Sequence, residues 1–236
     1  MTLTSLPLTP GPDAHSGAAP DRVTFMGLSL RADGAVLRPR AETELLGRQA
    51  QAILARRPGA QIVVDMCCGS GNLAVALAHG HPQALVYACD LTQECVDVAQ
   101  ANAVDHGLNG RVLVRRGDMF AALYGVGLEH RVDLVVCNPP YISSGRLERD
   151  RSHLLREEPR EAFDGGPYGI SILQRMARES IRFIKPGGWI AFEFGHGQEL
   201  QAKLLIDRTR RFEPVTFAHD ETGAPRVAMA RRRGDG

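Results

Sequence analysis

Ile62-Val63-Val64-Asp65-Met66-Cys67-Cys68-Gly69-Ser70-Gly71-Asn72-Leu73-Ala74 decides the fold. A short apolar run, Ile62 to Met66, breaks into a glycine turn and then into a helical stretch, Asn72 to His79. Apolar strand, glycine loop and helix in that order open a parallel α/β unit. Downstream the pattern repeats: strand Leu85 to Asp90, helix Gln93 to His106, strand Val112 to Arg115, then strand Val132 to Cys137 after a less regular stretch. Such alternation predicts a parallel sheet with helices on both faces.

The flanks complete this frame. Helix Ile170 to Ile184 places apolar residues at 170, 173, 177, 181 and 184, Lys185-Pro186-Gly187-Gly188 turns the chain, and Trp189 to Phe194 reads as the next strand. Helix Glu199 to Arg208 follows, and Phe212 to Ala218 with Val227 to Ala230 predict a closing antiparallel pair. Upstream, Glu42 to Arg57 carries apolar positions 46, 50, 53 and 54, one face of an amphipathic helix that Pro58-Gly59 ends. Val23 to Leu30 and Ala35 to Leu37 flank Asp33-Gly34, a dipeptide suited to a tight hairpin turn. The expected fold class is therefore α/β: a doubly wound, mostly parallel seven-stranded sheet with an antiparallel C-terminal strand pair and an N-terminal β-hairpin. Residues 1–22 hold little to bury and read as a disordered leader, followed by one domain, hairpin 23–40 and catalytic core 41–236.

Composition narrows the function. The chain has 236 residues, and 28 Lys+Arg against 27 Asp+Glu leave no global field that would draw it to nucleic acid or an anionic membrane. No apolar run approaches the ~20 residues of a membrane span, and the amino terminus lacks a secretory signal pattern, so a cytoplasmic protein is expected. Cys67, Cys68, Cys89, Cys95 and Cys137 form no C-x-x-C pair and are odd in number, which argues against a disulfide framework or a zinc site and for small core residues. No metal is expected.

The glycine loop lies where a doubly wound sheet binds its ligand, at the carboxyl end of the first parallel strand. Gly69-Ser70-Gly71-Asn72-Leu73-Ala74 fits G-x-G-x-x-G/A, and Asp90 ends the second strand, where a carboxylate accepts from ribose hydroxyls. The pattern alone suits either of two adenosine cofactors, a nicotinamide dinucleotide or S-adenosylmethionine. Asp118 and Met119 follow the third strand, where a carboxylate could take an adenine amino group and an apolar neighbour could cover the ring.

After the fourth strand comes Asn138-Pro139-Pro140-Tyr141. Consecutive prolines fix φ and remove two backbone donors, leaving a rigid loop rich in acceptors. If the Asn138 side-chain oxygen and the Pro139 carbonyl accept both N–H groups of a planar amino group, the nitrogen is held for attack on a methyl sulfonium. Tyr141 would cover that planar group. A dehydrogenase reading leaves this loop unexplained.

These blocks resemble the HemK/PrmC family of protein-(glutamine-N5) methyltransferases, within the class I S-adenosylmethionine-dependent superfamily and its Rossmann-like fold. The likeness runs from about Phe25 to Arg231. It rests also on Leu37-Arg38-Pro39-Arg40-Ala41-Glu42-Thr43-Glu44-Leu45, on Glu158-Pro159-Arg160-Glu161-Ala162-Phe163-Asp164-Gly165-Gly166, and on Glu193-Phe194-Gly195 after Lys185 to Trp189. It implies S-adenosyl-L-methionine as cofactor and S-adenosyl-L-homocysteine as product. Implied cofactor contacts are Asp65, Cys67, Cys68, Gly69, Ser70, Gly71, Asp90, Leu91, Asp118, Met119 and Asn138. Asn138, Pro139, Pro140 and Tyr141 would hold the acceptor. Arg40, Thr43 and Glu44 would lie near the methyl donor, and His196 is a further candidate. Cys67 stands where the family has a glycine, and Ala41 where it has a proline. Bacterial members carry a helical domain ahead of the hairpin to hold the release factor, and residues 1–22 are too short for one. Members without that domain work with a small partner subunit. The acceptor therefore stays open between a glutamine amide in a protein such as a release factor, a small molecule, and, with less support, an exocyclic amino group of nucleic acid.

Overall fold

The computed structural model describes residues 21–32, 36–142, 144, 165–166 and 169–234. Residues 1–20 of the expected leader over 1–22, the Asp33-Gly34 turn and the Glu158–Asp164 part of the second loop lie outside them.

Two short strands, β1 (Arg22–Phe25) and β2 (Leu28–Arg31), pair antiparallel. The hairpin exists, but it turns at Met26-Gly27 rather than pairing Val23 to Leu30 with Ala35 to Leu37. Met26 and Gly27 take φ of 47° and 81°, the pair of positive angles whose twist matches that of the flanking strands. Asn102, 0% exposed, ties this hairpin to the core: its Oδ1 accepts from Arg31 N, and its Nδ2 donates to the carbonyls of Arg31 and Ser70. Asp105 adds ion pairs to Arg22 and Arg31.

Helix α1 (Ala41–Ala55) buries Leu46, Ala50, Ile53 and Leu54, the face its periodicity predicts. The main sheet follows: β3 (Gln61–Met66), α2 (Asn72–Gly80), β4 (Ala84–Asp90), α3 (Gln93–Asp105), β5 (Val112–Arg116) and β6 (Val132–Cys137). Then come α4 (Ser171–Glu179), β7 (Ile184–Glu193), α5 (Glu199–Thr209), β8 (Thr216–His219) and β9 (Pro225–Arg231). The seven strands are ordered β5-β4-β3-β6-β7-β9-β8, parallel except where β9 joins β7 and β8.

The helix predicted over Ile170 to Ile184 is shorter. It ends at Glu179, a tighter 3-10 turn spans Ser180–Arg182, and Ile184 already pairs with Val132 in the sheet. The predicted turn Lys185 to Gly188 is correspondingly a bulge inside β7: Val132 faces Ile184 and Leu134 faces Trp189, so the extra residues are extruded. Lys185 from this bulge and Arg57 both pair with Asp133, whose Oδ2 also accepts from Ile62 N.

Both faces of the sheet are covered, which explains why the central strands are apolar without alternation. Val63, Val86 and Val136 pack beneath α1, α2 and α3, while Val64, Val135 and Cys137 face α4 and α5. Each fully buried Leu in these layers, such as Leu46 or Leu77, contributes about 1.5–3 kcal/mol. Among the described residues no helix is long and apolar enough to cross a membrane.

Candidate active site

Register alone gathers the site. Met66 pairs with Cys89 on one side and Cys137 on the other, so the loops beginning at Cys67, Asp90 and Asn138 leave the sheet side by side. Asp90 pairs with Arg116, which brings Gly117-Asp118 alongside. Phe192 pairs with Cys137, which sets Glu193 beside Asn138. The strand order reverses between β3 and β6, the switch point at which such sheets open a crevice.

A cavity of about 390 Å³ lies there. Asp65, Cys67, Cys68, Gly69, Asp90, Leu91, Asp118, Met119, Asn138 and Pro140 line it. Arg40 and Thr43 from the start of α1 also line it, as do Thr92 and Ile172, which the sequence did not single out. Ser70, Gly71, Pro139, Tyr141 and Glu44 do not line the cavity. Glu44 instead accepts from Met26 N at 2.7 Å, and His196 is exposed.

The glycine loop is held from inside. Asp90 Oδ2 accepts from Gly69 N at 2.9 Å and its Oδ1 from Thr92 N at 3.2 Å; Thr92 Oγ1 in turn caps α3 by accepting from Cys95 N. Gly71 starts α2 at φ 74°, and a Cβ there would come within 2.9 Å of Ala99 Cβ, so this glycine permits contact of helix on helix. Gly69, at φ 53°, faces open space. Cys67 takes φ 58°, a left-handed angle in the position where a glycine would be unstrained.

Asp65 is fully buried, and one of its oxygens accepts from Ala74 N at 3.0 Å while Oδ1 has no partner among the described residues. Burial, with Asp90 nearby, pushes its carboxyl up to about 8. A buried acceptor lacking a donor at a cavity wall fits a ligand carrying an ammonium or another cation. Burial raises the thiols of Cys68, Cys89 and Cys137, so they stay protonated; Cys68 and Cys89 serve as small apolar wall rather than nucleophiles, and Cys137 packs in the core. On the far wall Arg175 bonds Asp118 at 2.8 Å and Glu179 at 2.9 Å.

Around Asn138 the geometry is more constrained than its loop sequence shows. Asn138 Nδ2 donates to Thr43 Oγ1 at 3.0 Å, and Thr43 Oγ1 donates to Glu193 Oε2 at 2.9 Å. Tyr141 OH donates to Glu193 Oε1 at 3.2 Å, and Arg226 stands 3.6 Å from that oxygen. Glu193 is 1% exposed; burial raises its carboxyl, against the lowering effect of Thr43, Arg226 and Tyr141. Burial, then Glu193, pushes the Tyr141 phenol up to about 12. Gln198 closes the back: its Nε2 donates to the carbonyls of Tyr141 and Gly169, and its Oε1 accepts from Gly195 N.

Residues 43–166 match the family model described as Methyltransferase small domain. The release factor glutamine methyltransferase of Moorella thermoacetica is 35% identical over 211 residues, covering 89% of this chain and 72% of that protein. The chain belongs to the release factor glutamine methyltransferase (HemK/PrmC) family. A ribosomal protein uL3 glutamine methyltransferase of Bradyrhizobium diazoefficiens is 34% identical, over 76% of this chain and 57% of that one. Among solved structures, the protein-(glutamine-N5) methyltransferase of Alicyclobacillus acidocaldarius superposes with a TM-score of 0.50 at 25% identity, covering 83% and 94% of the two chains.

The sequence singles out the loops of this methyltransferase, whereas its supporting layer is not legible there. Glu193 was visible only as part of a resembling block, and Arg226, Gln198 and Arg175 carried no local signal. Their roles come from contacts across 85, 57 and 57 residues of chain.

Proposed function

We propose that this methyltransferase transfers a methyl group from S-adenosyl-L-methionine to the side-chain amide nitrogen of a protein glutamine, with a peptide chain release factor as the first candidate substrate. The observation that carries this reading is the pinned amide of Asn138. One Nδ2 hydrogen goes to Thr43, which fixes the plane and sense of the amide, and we take Oδ1, on its opposite side, as the atom Asn138 offers a ligand at the cavity wall. An acceptor presented there suits a group with N–H to donate.

Asp65, Asp90 and Asp118 supply acidic walls for a cationic, ribose-bearing and adenine-bearing cofactor, with Cys67, Cys68, Gly69, Leu91 and Met119 as close or apolar contacts. Ser70 and Gly71 act from behind, by shaping the loop. When bound, the cofactor supplies an electrophilic methyl on sulfur. Asn138 Oδ1 and the Pro139 carbonyl hold the two amide hydrogens and bind better as the nitrogen becomes tetrahedral and positive, so orientation replaces a general base. Pro140 stiffens the loop. Tyr141, its hydroxyl fixed on Glu193, positions the loop from its far side. The reading takes the enzyme as cytoplasmic and metal-free, with one methyltransferase domain.

Two relatives at similar identity are named for different proteins, a release factor and ribosomal protein uL3. Both are glutamine acceptors, so the chemistry is common to them. The test is transfer of labelled methyl from the cofactor to purified release factor and to uL3, with Asn138→Ala as control. Label on the release factor glutamine, lost in the variant, supports the reading; label on uL3 alone changes the substrate but keeps the amide. Label confined to nucleic acid or small molecules, or undiminished in Asn138→Ala, overturns it.

A further inference from the structure

Glu193, Thr43 and Asn138 form a chain of hydrogen bonds with a defined direction. Two hydroxyls and a guanidinium converge on Glu193, all of them donors, and a carboxylate is the state that accepts from all three. Thr43 has one hydroxyl hydrogen. Because it goes to Glu193 Oε2 at 2.9 Å, only lone pairs of Thr43 face Asn138. Asn138 must then turn Nδ2 toward Thr43, at 3.0 Å, since the flipped amide would set two acceptors against each other.

Resting on the amide reading above, we propose that Glu193 and Thr43 are positioning residues that make the site select an amide over a carboxylate, by fixing which end of the Asn138 side chain the acceptor meets. With Oδ1 presented, a glutamine –NH2 is welcomed and the oxygen of a glutamate is repelled. Without the relay Asn138 can rotate, present Nδ2, and tolerate a carboxylate. Glutamine and glutamate are nearly the same shape, so size cannot separate them and polarity must.

The test uses the full chain and two release factor peptides that differ only in Gly-Gly-Gln against Gly-Gly-Glu, the first as methyl acceptor and the second as competitor. In the wild type the Glu peptide should bind about a hundredfold more weakly than the Gln peptide. Thr43→Val keeps the shape and removes the hydroxyl; it should narrow that preference about tenfold and lower kcat by a similar factor. The Kd for S-adenosylmethionine should change less than about twofold. Thr43→Ser should restore the preference. Glu193→Gln, which puts an NH2 in place of one of the two oxygens that Thr43 and Tyr141 bond separately, should narrow it as well and serves if Thr43→Val does not fold. In an Asn138→Ala background, Thr43→Val should cost nothing further. Unchanged discrimination in Thr43→Val or in Glu193→Gln, with Asn138→Ala inactive, sinks the relay and leaves the amide reading standing. A wild type that methylates neither peptide nor any protein glutamine sinks both.

Discussion

The carboxylate of Asp90 accepts from the backbone N–H of Gly69 at 2.9 Å, so the side chain that ends β4 also sets the shape of the loop that follows β3. One residue thus builds the cavity wall and offers the acceptor expected to meet a ribose. Removing it acts twice. Asp90→Ala should weaken S-adenosylmethionine binding by about 10- to 100-fold, the loss of hydrogen bonds to a charged group. Calorimetric titration would show this, and an affinity within twofold or so of wild type would remove Asp90 from the binding site.

Gly71 and Gly69 both have positive φ but differ in surroundings. Alanine at Gly71 meets the left-handed strain and an Ala99 Cβ at 2.9 Å, and should cost about 2–4 kcal/mol. Alanine at Gly69 meets the strain alone, about 1–2 kcal/mol. Thermal unfolding of the two variants would separate packing from strain; equal losses would mean that α2 and α3 do not need close contact at this point.

What the sequence made legible follows from how local each signal is. Gly69-Ser70-Gly71 and Asn138 to Tyr141 each lie at a strand end, so reading the strand places the loop, and register does the rest. The hairpin turn was misplaced because Asp33-Gly34 has the composition of a tight turn whereas Met26-Gly27 does not. Met26 holds its φ of 47° while its N–H bonds to Glu44 from another element. Ile184 continued a helical stripe in sequence but is claimed by β6, since a strand slot beside Val132 outweighs one more helical turn. Thr43 and Glu193 are 150 residues apart, and nothing in either neighbourhood reveals that they touch.

Asp65 gives the protein a pH dependence whose sign is fixed. Its carboxyl lies near 3.8 when the chain is unfolded and about 8 when folded, so between those values the folded state holds a proton that the unfolded state has lost. Stability without cofactor therefore falls as pH rises from about 4 to about 8 on this account. Asp65→Asn retains an oxygen for Ala74 N and cannot ionise. Its Tm advantage over wild type should grow from pH 5 toward pH 8, values chosen within about that window. Parallel Tm curves would mean that Asp65 is not protonated in the fold. A cationic ligand pairing Oδ1 should expel the proton, so cofactor affinity should strengthen over the same range.

Gln198 joins three loops behind the site, donating to Tyr141 O at 3.1 Å and Gly169 O at 3.4 Å while accepting from Gly195 N at 2.8 Å. It lies outside the cavity wall, so its effect must pass through the loop it restrains. Gln198→Ala leaves three backbone groups seeking partners and should cost about 1–3 kcal/mol of stability locally. Amide exchange should quicken at Gly195, whose N–H loses its partner, and at Gly165, whose N–H donates to the Ile142 carbonyl at 2.8 Å in the same loop. On the proposed roles of Asn138 toward the acceptor and Asp90 toward the cofactor, kcat should fall while the Kd for S-adenosylmethionine holds. A loss shared equally between the two would mean that the loop and the cofactor cavity move as one body, and that Asn138 has no orientation independent of it.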